Sequence, residues 1–145
     1  MIAPIELSQK IHLGYKCIQK QVCKTYQIPE TSMDILLFLA NNPQYTSARD
    51  IVEVRNLKAN LVSIHVDRLV REGYLTRSEV PGDRRKHALA LTEKAVPIVE
   101  AGQKMQEDFF ETMFAGISQE KREICFAILE TIGQNMDAVL KGAAK

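Results

Sequence analysis

Apolar residues return every three or four positions from Leu7 to about Tyr26, at Leu7, Ile11, Tyr15, Ile18 and Val22, which is the stripe of an amphipathic helix. Lysines and glutamines fill its other side. Pro29 interrupts the pattern, and Thr31 or Ser32 then offers a cap for a second helix. Its residues Met33, Ile35, Leu36, Leu37, Phe38 and Leu39 are apolar nearly all round, so this helix is expected to be central. Asn41-Asn42-Pro43 ends it. Thr46 or Ser47 is placed to cap a short third helix over residues 48–54, and a fourth is predicted from about Lys58 to Glu72, terminated by Gly73.

After Gly73 the period changes. Tyr74 to Val80 is rich in strand formers, and His87, Leu89 and Leu91 alternate with Ala88, Ala90 and Thr92. Between them lies Pro81-Gly82-Asp83-Arg84-Arg85-Lys86, whose Pro-Gly-Asp is a turn signal, so the stretch predicts a hairpin with three consecutive basic residues at its tip and return. Thr92 is expected to cap a long helix reaching Phe114, with Pro97 near enough to its start to be tolerated. Ser118 opens a last helix, in which Cys125, Ile128, Leu129, Ile132, Met136, Val139 and Leu140 keep helical spacing. The predicted order is four helices, a hairpin and two helices.

A chain of 145 residues, 46% hydrophobic and 26% charged, fits one compact globular domain. No apolar run approaches the roughly 20 residues that span a bilayer, and Met1 to Ile11 lacks the succession of a secretory signal, so a cytoplasmic location and no membrane partner are expected. Cys17, Cys23 and Cys125 form no CxxC pair and are odd in number, consistent with reduced thiols. The net charge of +1 conceals an asymmetry: residues 55–86 hold eight basic against four acidic residues, +4, and the rest hold 11 against 14, −3. A basic excess confined to one helix and one hairpin points to a polyanionic partner, although a solvated face carries the same signature when no motif accompanies it.

Two short helices joined by a tight turn, the second with a polar edge, form the arrangement that places a reading helix in the major groove of DNA. In the fourth helix Val62, Val66, Leu69 and Val70 make the apolar face, while Asn60, Ser63, Ile64, Asp67, Arg68 and Arg71 lie on others. A core helix with one wet side reads the same way. At the hairpin, Arg84 and Arg85 suit a narrow minor groove, where negative potential attracts guanidinium. Lys86 suits a phosphate, and Asp83 can pair with a neighbouring arginine and hold its planar fork. The bland alternative is an exposed turn with solvated charges. His12, His65 and His87 show no metal-ligand spacing, so no metal or cofactor is expected, and His65 reads as packed or near DNA. No G-x-S-x-G, Gly-rich phosphate loop or HExxH is present, so an enzyme is not expected.

From Thr31 to Thr92 the chain resembles the MarR family of bacterial transcription regulators. The best-matching stretch is Val66-Asp67-Arg68-Leu69-Val70-Arg71-Glu72-Gly73-Tyr74-Leu75, then Asp83-Arg84-Arg85-Lys86 and Leu91-Thr92-Glu93-Lys94. The family's wing signature of Asp, any residue, Arg, and Leu-Thr six residues on is met by Asp83, Arg85, Leu91 and Thr92. Lys58 departs from it, standing where relatives carry a capping Ser or Thr, and Arg55 stands at a normally apolar position. The resemblance implies a mainly α (α+β) fold: a winged helix-turn-helix with a β-hairpin wing, residues 31–92, flanked by dimerisation helices at 1–30 and 93–145, all in one domain. It implies a homodimer on a pseudo-palindromic double-stranded DNA operator, with Arg85 as the minor-groove arginine and Asp83 as its partner. Asn60 and Ser63 are then the leading base readers, and Ile64 touches a thymine methyl or packs. Lys58, Arg68 and Arg84 are expected on phosphates. A repressor released by a small aromatic effector is the leading expectation. The alternatives are a regulator of the same fold that senses oxidants through Cys17 or Cys23, and a winged helix used only for protein contacts.

Overall fold

The computed structural model describes residues 3–143, and the side chains of residues 84–86 lie outside that description. The chain forms two compact units, residues 1–109 and 110–145.

In the first unit, α1 (Pro4–Tyr26) starts three residues before the predicted Leu7, because proline at the first helical position loses no bond that the helix would make. It ends at Gln27, which takes a left-handed conformation at φ 53°. The second helix, α2 (Glu30–Asn41), corrects the expected cap: neither Thr31 nor Ser32 caps it, since the extended backbone of Pro29 supplies the entry turn and the Met33 N–H reaches the Pro29 carbonyl. Ser32 is instead fully buried, as are Met33, Ile35 and Leu36, so α2 is the central helix. Ser47 caps α3 (Ala48–Arg55) through a reciprocal pair with Asp50, which satisfies two otherwise orphaned N–H groups. The fourth helix, α4 (Ala59–Arg71), buries Val62, Val66 and Leu69 against that core.

The hairpin pairs β1 (Leu75–Val80) with β2 (Asp83–Leu91) in antiparallel register from Leu75↔Leu91 to Glu79↔His87. Only Pro81-Gly82 remains as the turn, with Gly82 at φ 86°. The second strand therefore begins four residues before the predicted His87. Its register jumps from Glu79↔His87 to Val80↔Asp83, an irregularity that hides the alternation by which strands are read. A backbone bond from the Leu89 N–H to the Thr46 carbonyl, 2.7 Å, fastens the hairpin to the loop before α3.

A single 3₁₀ turn, Glu93–Ala95, separates the hairpin from α5 (Val96–Met113), so Pro97 is the second residue of the helix and removes no internal bond. Gly102 lets α5 approach α2: a Cβ there would stand 2.7 Å from a Leu37 methyl. The second unit comprises the end of α5 and α6 (Gln119–Ala143). Phe110, Phe114 and Phe126 form an aromatic cluster with centroids 4.8 to 5.5 Å apart. Arg122 donates to the Phe114 and Ile117 carbonyls beside them. The apolar stripe of α6, Ile124, Ile128, Leu129, Ile132, Met136, Val139 and Leu140, is about half exposed or more along its whole length.

Candidate nucleic-acid interface

Successive residues of a helix turn by about 100°, so Asn60, Ser63, Ile64, Asp67 and Arg71 share one stripe of α4, opposite Val62, Val66 and Leu69. All five are exposed, Ile64 at 63%. An isoleucine so exposed on a polar face is available for a contact that water does not make. The Asn60 Oδ1 accepts from the Leu61 N–H at 2.9 Å, which satisfies one orphan donor of the helix start. Lys58 is the exposed N-cap residue and makes no side-chain cap bond. Arg68 lies at the edge of the stripe, half-buried, with Nε 2.9 Å from Glu72 Oε1. Asn60, Ser63 and Ile64 thus share one exposed face of α4, and Arg68 is set to one flank.

Asp83 opens β2 and is partly buried. The predicted roles of Arg84, Arg85 and Lys86 fall on side chains outside the described residues. Their backbone lies in β2, at the register irregularity.

Several contacts that hold this surface escape sequence reasoning. The end of α4 is closed by the Tyr74 N–H on the Leu69 carbonyl and the Gly73 N–H on the Val70 carbonyl, with Gly73 at φ 84°, the double bond of a Schellman cap. Over that cap, Lys94 Nζ donates to the Glu72 carbonyl at 2.6 Å and sits 4.5 Å above the Tyr74 ring. Ser32 Oγ and His65 Nδ1, 2.9 Å apart, tie α2 to the inner side of α4. Arg77 of β1 reaches Asp67 at 2.7 Å. The Leu-Thr-Glu-Lys signature was visible as a pattern, but the helix it serves ends some twenty residues earlier.

A second concavity of about 600 Å³ lies between α1, α2, α3 and α5. Its apolar walls include Ile11, Leu37, Phe38, Val54 and Phe109. Its polar side is a chain in which Gln103 donates to Asn41, Asn41 to Gln106, and Gln106 to the Tyr15 hydroxyl. Burial raises both Tyr15 and Asp34 above their ordinary values. Arg55, at the end of α3, lines the same cleft and its charge draws Asp34 the other way. The unusual polar residue at this position is therefore an element of the cleft wall.

Among the described residues, no three His, Cys, Asp or Glu side chains assemble where they could hold a metal ion. Among the described residues, no helix is long and apolar enough to cross a membrane.

A three-helix core, a reading-type helix and a two-stranded hairpin define a winged helix-turn-helix protein. Residues 26–86 match the MarR family. The chain is 26% identical over 104 residues to an uncharacterized HTH-type transcriptional regulator, YdgJ, of Bacillus subtilis, an alignment covering 72% of this chain and 63% of that protein. Among solved structures it is similar to a putative MarR family regulator from Listeria monocytogenes complexed with a 26mer DNA, with a TM-score of 0.83 at 14% identity, covering 94% and 90% of the two chains. It is also similar to the MepR–DNA complex of S. aureus, with a TM-score of 0.77 at 20% identity over 92% and 96%. At such identities the structures establish the fold.

Proposed function

We propose that this chain is a sequence-specific regulator that binds double-stranded DNA as a homodimer, acting in the cytoplasm. The observation that carries the reading is the exposed stripe of α4, polar at Asn60 and Ser63 and apolar at Ile64, on a helix whose opposite face is buried and whose end is clamped at the base of the hairpin. In this account α4 enters the major groove, Asn60 and Ser63 meet base edges, and Ile64 meets a thymine methyl. Lys58, Arg68, Arg84 and Lys86 meet phosphates, while Arg85, steadied by Asp83, enters the minor groove. The DNA bound in the Listeria and MepR complexes supports a polyanionic partner for the same fold.

Residues 1–30 and 93–145 serve as the dimerisation helices of one domain. The long exposed apolar stripe of α6 supports this, because monomers rarely leave so much contiguous apolar surface to water. A two-fold dimer sets its reading helices about 34 Å apart on a pseudo-palindrome. The 600 Å³ cleft, with aromatic walls and a polar chain, supports a small aromatic effector that releases the protein from DNA, hence a repressor.

Selection of bound duplexes from a random pool tests the reading. A two-fold symmetric enriched site is expected, and Arg85→Ala should weaken binding to it by about 1 to 3 kcal/mol while the dimer persists. No enrichment would shift the assignment to a protein-contact winged helix.

A further inference from the structure

The stripe of α4 that the proposed function turns toward DNA carries one acid, Asp67, whose side chain is 56% exposed. A bare carboxylate there would face a dense row of phosphates and repel it. Arg77 covers the carboxylate: Nη2 stands 2.7 Å from Oδ1, and the guanidinium comes from a different element, ten residues on.

The placement of Arg77 follows from strand geometry. Residues two apart share a face, so Arg77 stands on the side of Leu75, which is buried at 1%. Across the hairpin Arg77 is in register with Leu89, itself buried and bonded through its N–H to Thr46. The strand thus carries the guanidinium to the reading helix from a fixed base. The other acid at this end of α4, Glu72, is covered likewise by Arg68.

Folding stability gives little reason for such a pair, since an exposed ion pair contributes little once solvent screening and side-chain entropy are counted. Its effect grows when docking excludes water and brings phosphates close, because like charges brought together at an interface are strongly unfavourable. We infer that Arg77 is a positioning residue for DNA binding, one that neutralises the Asp67 carboxylate on the reading face of α4. This inference rests on the DNA-binding reading.

The test compares wild type, Arg77→Gln, Asp67→Asn and the double variant on the duplex that wild type enriches, with salt titrations and thermal melting. Arg77→Gln should lose about tenfold or more in affinity, and adding Asp67→Asn should restore it to within about threefold of wild type. Asp67→Asn alone should bind as well as wild type or better, and all four should melt alike. Arg77→Lys, which keeps the charge, should retain most of the affinity and guards against a fold lost with glutamine. A double variant as weak as Arg77→Gln overturns the inference: with a salt slope lowered by about one it makes Arg77 a direct phosphate contact, and with a lowered melting point it makes the pair a structural strut. Four proteins that bind alike overturn it too and leave DNA binding standing. A wild type that binds no duplex removes both.

Discussion

The hydroxyl of Thr92 donates to the carbonyl of Gly73 over 2.6 Å, closing the residue after the hairpin onto the second residue before it. The Thr92 N–H completes the closure at the Tyr74 carbonyl. Together with Lys94 on the Glu72 carbonyl, this makes the base of the wing a cap for the end of α4. Thr92→Val preserves shape and removes the hydroxyl, so it should cost about 1 kcal/mol in urea unfolding. A variant as stable as wild type would reduce the contact to a bystander.

Asp34 is held above the ordinary carboxylate value, chiefly by burial. The Gln19 amide, donating to Oδ1 at 2.6 Å, offsets this in part. The unfolded chain titrates at the ordinary value, so between the two values the folded protein binds the extra proton. Stability is therefore lost as pH rises through the raised value. Asp34→Asn keeps an acceptor for Gln19 and removes the titration. The melting temperature of the variant relative to wild type should climb as pH passes from below the ordinary carboxylate value to above the raised one. A difference that stays flat with pH would contradict the assignment.

Much of this was legible in the sequence, for identifiable reasons. The helical period marked α1, α4 and α6, an apolar run marked α2, capping residues marked the starts of α3 and the helix after the hairpin, and Gly73 and the Pro-Gly pair marked the end of α4 and the turn, because each constrains the backbone locally. What escaped depended on distant partners. Ser32 carries the side chain of a helix cap but faces His65, 33 residues away, while the backbone of Pro29 performs the capping. Thr92 reads as the start of the next helix and instead serves the end of the previous one. Asp67 and Arg77 are each ordinary surface charges until the hairpin folds back on α4. The stripe of Asn60, Ser63 and Ile64 was recoverable because periodicity alone fixes which face a helix turns outward.

The Cys23 thiol is buried, and burial, helped by Glu30 and Asp34, pushes it up to about 11. Only the thiolate is a strong nucleophile, so at neutral pH Cys23 should resist thiol reagents in the folded protein and label at the rate of global unfolding. Mass mapping over time checks this. Fast labelling of Cys23 under native conditions would reopen the oxidant-sensing alternative.

Whether this winged helix reads DNA sequence is tested by titrating the enriched duplex against a scrambled one across a salt series. Binding to the enriched duplex should be tighter by about a thousandfold or more at physiological salt, with both affinities falling as salt rises. Equal affinity for the two duplexes at every salt concentration would contradict sequence reading.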